Sequence, residues 1–185
     1  AVSKINLFLP EIANKGSNED GKKYFQHLYA DMDGVSKIKL NTWESDTIEL
    51  ERLRPDFVCW VRNPVKASWA LTIPYILNNE TKPMYPDFLV IRSDERLGYV
   101  MDILEPHGDQ YKDSLAKAKG LAEYANAEEK IGRVQMIRQV KDKITGEKKY
   151  LRLDFSKGEI RDKIRQIMTT DEFDHLFDEF GTFED

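Results

Sequence analysis

The chain has 185 residues, of which 41 % are hydrophobic and 33 % are charged, a composition typical of one globular domain and not of a disordered or fibrous protein. It contains no apolar stretch long enough to cross a bilayer and does not open with a signal-peptide pattern, so we expect no membrane segment. The single cysteine, Cys59, excludes an internal disulfide framework and favours a reducing, cytoplasmic location.

Elements of the first half of the chain follow from turn and cap signals. A turn at Asp31–Gly34 between two strand-like segments predicts a hairpin. Asn41 or Thr42 can cap a helix that ends before Pro55. Further strands are predicted at 57–61, 68–76, 85–91 and 98–105. The last two are continuous apolar runs, which is typical of strands buried in the middle of a sheet.

The second half of the chain alternates helices and strands. We predict helices at 112–127, 159–168 and 172–180 and strands at 133–140 and 150–155. The order indicates one mixed α/β domain. We divide the chain into an N-terminal extension with the hairpin (1–40), a core (41–168) and an acidic C-terminal tail (169–185).

Charge is unevenly distributed along this chain of net charge −5. The segment 169–185 carries seven acidic residues and no Lys or Arg, whereas residues 1–168 hold 28 basic and 26 acidic residues. A mildly basic body with an acidic tail is compatible with a polyanionic partner and equally with a solvated surface. We expect the tail to be dispensable for the core.

Carboxylates stand at the ends of the two central strands. Asp87 precedes one strand and Glu105 ends the next. Because residues i and i+2 of a strand share a face, Glu105 and His107 lie on the same side. Two such carboxylates can hold one divalent cation, although acidic residues at strand ends also serve as caps or ion-pair partners. Pro106 has no N–H, so the strand should end or bulge there.

Two helices offer further candidates. Glu44 and Glu51 are seven residues apart, so they project in nearly the same direction from the first predicted helix. Lys117 and Lys119 flank the apolar stripe of helix 112–127 on opposite sides. Each is either a member of a site or a solvated helix residue.

Four segments carry a resemblance to a known family. These are FVCWVRNP at 57–64, IPY at 73–75, YPDF at 85–88 and EPHG at 105–108. In this order they resemble the C-terminal endonuclease region of type III restriction subunits and related helicase-nucleases, within the PD-(D/E)xK superfamily. The resemblance covers about residues 42–127. It implies a restriction-endonuclease-like α/β fold, with a mixed central sheet flanked by helices, and a metal-dependent endonuclease that hydrolyses the phosphodiester bonds of DNA.

The resemblance also implies roles for individual residues. Asp87 and Glu105 would bind Mg²⁺ or Mn²⁺, with Glu44 assisting and Glu51 as the second choice on the same helix. His107 stands where the family has a catalytic lysine. A lysine of the next helix, Lys117 or Lys119, could replace the missing charge, although this follows from the helix pattern and not from the resemblance. Apart from the resemblance, Arg62 at the end of strand 57–61 could hold a phosphate or pair with an acidic residue, and Asn63 beside it is a second candidate contact to nucleic acid.

Partners follow from the same resemblance. They are DNA, a DEAD/DEAH helicase or ATPase domain in the same native polypeptide, since the chain has no Walker A sequence, and a methyltransferase subunit. The replacement of lysine by His107, with Pro106 before it, leaves open a catalytically degenerate module that binds DNA or docks subunits. A third possibility is a pure interaction domain that uses the acidic, Phe-rich tail.

Overall fold

The computed structural model describes residues 20–107, 112–128 and 131–183. Within these ranges the strands are β1 (Lys22–Phe25), β2 (Val35–Ile38), β3 (Phe57–Arg62), β4 (Ile73–Leu77), β5 (Glu80–Met84), β6 (Phe88–Asp94), β7 (Gly98–Pro106), β8 (Ile131–Lys141) and β9 (Lys148–Asp154). The helices are α1 (Thr42–Arg52), α2 (Ser114–Ala127), α3 (Gly158–Gln166) and α4 (Thr170–Phe180). No helix in the described part of the chain is long and apolar enough to cross a membrane.

A five-stranded mixed sheet with the order β3-β6-β7-β8-β9 forms the centre of the protein. Only β7 and β8 run parallel, joined by a crossover through α2, and the other neighbours are antiparallel. The expected mixed α/β class is thus confirmed, and β6 and β7 do lie inside the sheet. β7 ends at Pro106, as expected from its missing N–H.

Local signals account for the elements before the sheet. The Asn41 side chain accepts a hydrogen bond from the backbone N–H of Glu44 at 2.9 Å and so caps α1. The hairpin of β1 and β2 closes through a turn in which Gly34 has φ +79°, a value that glycine adopts without strain. The cap and the existence of the hairpin are confirmed, but β1 ends at Phe25, so the expected continuation of the first strand up to Asp31 was wrong and residues 26–34 connect the two strands.

A second hairpin, β4–β5, differs from the sequence prediction. Only the last part of segment 68–76 is a strand, and β5 was not predicted. Asn78 and Asn79 both have positive φ, of 53° and 63°, and they form the two-residue turn between β4 and β5. β5 contains Lys82 and Pro83, which are poor strand formers, so pairing with β4 and not propensity accounts for it.

Two hydrophobic cores lie on the two faces of the sheet. α1 and the first hairpin cover one face, where Trp60 and Phe88 are fully buried. α2, α3 and α4 cover the other, where Leu121 and Phe155 are fully buried. α2 approaches β4 so closely at Gly120 that a Cβ at this position would lie 2.8 Å from the carbonyl oxygen of Pro74.

The acidic segment is not a dispensable tail, so this expectation was wrong. It forms α4, whose Phe173 and Phe177 are fully buried in the second core. The guanidinium of Arg138 lies 4.9 Å and 4.5 Å from the centres of these two rings and forms an ion pair of 2.7 Å with Asp174. The acidic residues face solvent because the phenylalanines occupy the opposite face of the helix.

Candidate active site

Three strand ends bring the predicted residues together at one edge of the central sheet. In the register of β3, β6 and β7, Arg62 lies opposite Phe88, and Phe88 lies opposite Leu104. Asp87 directly precedes β6, and Glu105 directly follows Leu104. The two carboxylates are therefore neighbours although they are far apart in the sequence.

The side chains of Asp87 and Glu105 lie close enough for each to affect the pKa of the other. Burial, followed by the charge of Asp87, raises the pKa of Glu105 well above its ordinary value. Burial also raises the pKa of Asp87, against the opposing charge of Arg62. Burial and mutual repulsion therefore disfavour the state in which both carboxyl groups are ionised.

Arg62 joins the third carboxylate to this pair. One of its guanidinium nitrogens donates to Glu44, and the other lies 3.2 Å from Asp87. Glu44 is buried at the start of α1, and this burial raises its pKa in spite of the Arg62 charge. Arg62 thus lies between Glu44 and Asp87, and the use of Glu44 as a third metal ligand stays a prediction.

Lys117 on α2 supplies a positive charge from the other side of the carboxylate pair. Its charge acts to lower the pKa values of both Asp87 and Glu105. Its Nζ lies 3.1 Å from Asp113 and 5.8 Å from the centre of the Tyr75 ring. The Tyr75 hydroxyl in turn donates to Asp113 at 3.4 Å. Sequence reasoning did not identify Tyr75 and Asp113, since only the packing of β4 against α2 places them here.

Lys119 lies elsewhere on α2. Residues two positions apart in an α-helix are separated by about 200° around its axis, so Lys119 points away from the face that carries Lys117. Within the described part of the chain, no ion pair or hydrogen bond connects Lys119 with the carboxylates. Of the two lysines left open by the sequence, the structure places only Lys117 at the site.

His107 follows the carboxylates on the same side of the sheet. Its backbone N–H donates to the carbonyl oxygen of Ile137 at 2.9 Å, and its Nε2 lies 3.9 Å from Asp113. Burial, and then the nearby charge of Lys117, lower the pKa of His107 to about 4. His107 is therefore neutral near pH 7 and does not replace the charge of a lysine.

Asn63 is used inside the protein. Its side-chain amide donates to the carbonyl oxygen of Leu71 and accepts from the N–H of Leu71, at 2.9 Å and 2.8 Å. The residue is only 2 % exposed, so we do not retain it as a contact to nucleic acid. Its role is to fix the loop between β3 and β4.

Glu51 does not join the carboxylate pair. It forms ion pairs with Arg133, at 2.5 Å, and with Arg152, at 2.6 Å, on the face of the sheet that α1 covers. Asp102 extends this network by pairing with Arg133 and Arg92. Replacement of one partner would leave an opposite charge buried, so these ion pairs are structural and we retain Glu44 as the acidic residue of α1.

The two carboxylates Asp87 and Glu105 suit a metal ion that takes only one or two ligands from the protein. Among the residues that the structure describes, no group of three or more His, Cys, Asp or Glu side chains is arranged to hold a metal ion. Mg²⁺, however, commonly binds one or two carboxylates and fills its other positions with water and substrate phosphate. Asp87 and Glu105 are the two carboxylates at this edge that could bind such an ion, because metal ligands must be deprotonated and a bound cation favours their ionised forms.

Comparison with known proteins identifies relatives. The family model of the YagJ family matches residues 25–184. Protein YagJ of Escherichia coli (strain K12) is 31 % identical over an alignment of 166 residues that covers 88 % of this chain and 65 % of that protein. The chain thus spans just under two thirds of the length of this curated relative. No solved structure matches the chain.

Proposed function

The chain belongs to the YagJ family, and we propose that it is a metal-dependent endonuclease module with a restriction-endonuclease-like fold that hydrolyses the phosphodiester bonds of DNA. The observation that carries the proposal is the electrostatically coupled pair of Asp87 and Glu105 at the ends of two neighbouring strands, with the charge of Lys117 acting on both. The motif order from FVCWVRNP to EPHG supports the same assignment.

Asp87 and Glu105 would hold Mg²⁺ or Mn²⁺, and Glu44 would assist through water. When bound, such an ion lowers the pKa of water and offsets negative charge on phosphate. The carboxylates fix its position because both are anchored by strand ends, and rigid elements hold a site more precisely than loops do.

Lys117 and His107 would act on the substrate from the α2 side. Asp113 holds the Lys117 ammonium 3.1 Å away, which keeps the positive charge near the carboxylates and near the phosphate that would bind there. A neutral imidazole can accept a proton, so His107 would serve as a base and not as a fixed charge. Arg62, whose side chain is 30 % exposed, would contact the DNA backbone.

A catalytically degenerate module that binds DNA or docks another subunit is the second candidate. The neutral state of His107 favours it, because the position of the family lysine carries no positive charge near pH 7. In either case we propose a cytoplasmic protein that works with a helicase or ATPase domain in the native polypeptide and with a methyltransferase subunit.

A plasmid-nicking assay with Mg²⁺ or Mn²⁺ tests the proposal. Wild-type protein should nick supercoiled DNA, and Asp87→Asn and Glu105→Gln should abolish nicking while the fold remains intact. Glu123→Gln is the matched control, because Glu123 is exposed and pairs only with the exposed Arg165 among the ion pairs of the described residues.

The outcomes separate the candidates. DNA binding without nicking by any metal-loaded protein would favour the degenerate module. Absence of both binding and nicking would overturn the endonuclease and the DNA-binding form of the second candidate, and would leave subunit docking. Nicking that persists in Asp87→Asn would show that the carboxylate pair is not the catalytic site.

A further inference from the structure

Arg62 occupies a position between the proposed metal ligands. Its guanidinium donates to Glu44 and lies 3.2 Å from Asp87, while its central carbon lies 5.3 Å from the centre of the Phe88 ring. A cation at this place neutralises one unit of the negative charge that a divalent ion would otherwise neutralise. In the metal-free protein Arg62 therefore competes with a metal ion for Asp87.

The backbone that carries Arg62 is fixed, whereas its side chain is not enclosed. The N–H of Arg62 donates to Nε2 of His27 at 3.1 Å, and the N–H of the next residue donates to the carbonyl oxygen of Asp87 at 2.9 Å. The side chain, by contrast, is 30 % exposed. The guanidinium can therefore leave Asp87 by a change of side-chain torsion alone, without movement of β3.

We propose that Arg62 is a latch that couples metal binding to DNA binding. Without DNA it holds Asp87 and Glu44 and weakens binding of a divalent cation. When a DNA phosphate reaches the site, the guanidinium pairs with the phosphate and releases Asp87 to the metal. This inference rests on the proposed metal site. It adds a coupling between two ligands, because the metal ion and DNA would each strengthen the binding of the other.

The phosphate is a suitable alternative partner for this side chain. A guanidinium binds the oxygens of a phosphate in the same two-pronged manner as those of a carboxylate. The exchange keeps Arg62 paired throughout, and Phe88 supports the guanidinium from one side in the starting position.

Arg62→Gln tests the latch because it should raise the affinity for Mn²⁺ and lower the affinity for DNA. In calorimetric titration of the metal-free full chain with Mn²⁺, the variant should bind Mn²⁺ about fivefold or more tightly than wild type, because the competing cation is gone. In titration with a DNA duplex, the variant should bind more weakly, and the salt dependence of binding should decrease by about one phosphate contact.

Arg54→Gln is the matched control. Arg54 is 26 % exposed and lies 3.3 Å from Asp56, so it resembles Arg62 in exposure and pairing but lies outside the site. It should bind Mn²⁺ like wild type. If Arg62→Gln binds Mn²⁺ with wild-type or lower affinity while wild type binds and nicks DNA, the latch is wrong and the proposed function stands. If wild type binds no Mn²⁺, the proposed metal site fails, and the latch fails with it.

Discussion

Glu105→Gln is expected to make the metal-free protein more stable at alkaline pH, although it replaces a buried residue at the end of β7. In wild type, burial and the Asp87 charge raise the pKa of Glu105 well above the ordinary value, so Glu105 retains its proton to higher pH than in the unfolded chain. Glutamine has no proton to lose, and its amide N–H can donate to Asp87 in place of the carboxyl proton. If the ionised Glu105 carboxylate instead stabilised the fold through an ion pair, Glu105→Gln would make the protein less stable at alkaline pH.

The magnitude follows from the charges. Two like charges 4 Å apart repel by about 4 kcal/mol at an effective dielectric constant of about 20. Glu105 in the native state therefore retains its proton at pH values where the unfolded chain has lost it. Since the native state binds the extra proton, the free energy of unfolding falls by up to about 1.4 kcal/mol for each pH unit above the ordinary carboxyl pKa. The fall ends where the pH passes the raised pKa of Glu105.

Urea unfolding with EDTA, between about pH 5 and pH 8, measures this effect. The stability advantage of Glu105→Gln over wild type should increase with pH. Addition of Mn²⁺ at about 100 times its Kd should then stabilise wild type by about 2.7 kcal/mol and should leave the variant almost unchanged. The control Glu123→Gln should stay within about 0.5 kcal/mol of wild type at every pH. If Glu105→Gln is instead less stable than wild type at pH 8 without metal, the reasoning is refuted.

Three further predictions concern α2, α4 and the end of β7. Lys117→Met should lower the rate of plasmid nicking by about 10²–10³-fold, while Lys119→Met should nick like wild type; equal losses would contradict the assignment. Phe177→Ala should lower the free energy of unfolding by about 3–5 kcal/mol in urea, because the ring is fully buried, whereas Phe183, which is 51 % exposed, should cost less than about 1 kcal/mol when replaced by Ala. Since burial lowers the pKa of His107 to about 4, native wild type resists protonation as the pH falls below the ordinary value of 6.5. Its stability relative to His107→Gln should therefore decrease by about 2 kcal/mol from pH 7 to pH 5, and a constant difference would show that the imidazole titrates normally.

Local signals predicted most of the fold. Asn41 caps α1 and Pro55 follows its end, and both effects act within a few residues. The apolar runs of β6 and β7 indicated strands covered on both faces, and the structure places both inside the sheet. β5 was missed because its stability comes from pairing with β4 and not from its own residues. The role of α4 was misjudged because Arg138, which lies under its phenylalanines, belongs to a different element.

The residues of the candidate site also divide into those that local patterns predicted and those that only long-range packing identified. Alternation along β7 determined by itself that Glu105 and His107 share a face. Helical periodicity likewise showed that Glu44 and Glu51 project in similar directions. Only the tertiary structure decided between the last two, because Arg62 of β3 meets Glu44 and the buried arginines of β8 and β9 meet Glu51. Periodicity describes the faces of one element, whereas the partner of each face depends on long-range packing among elements that are distant in sequence.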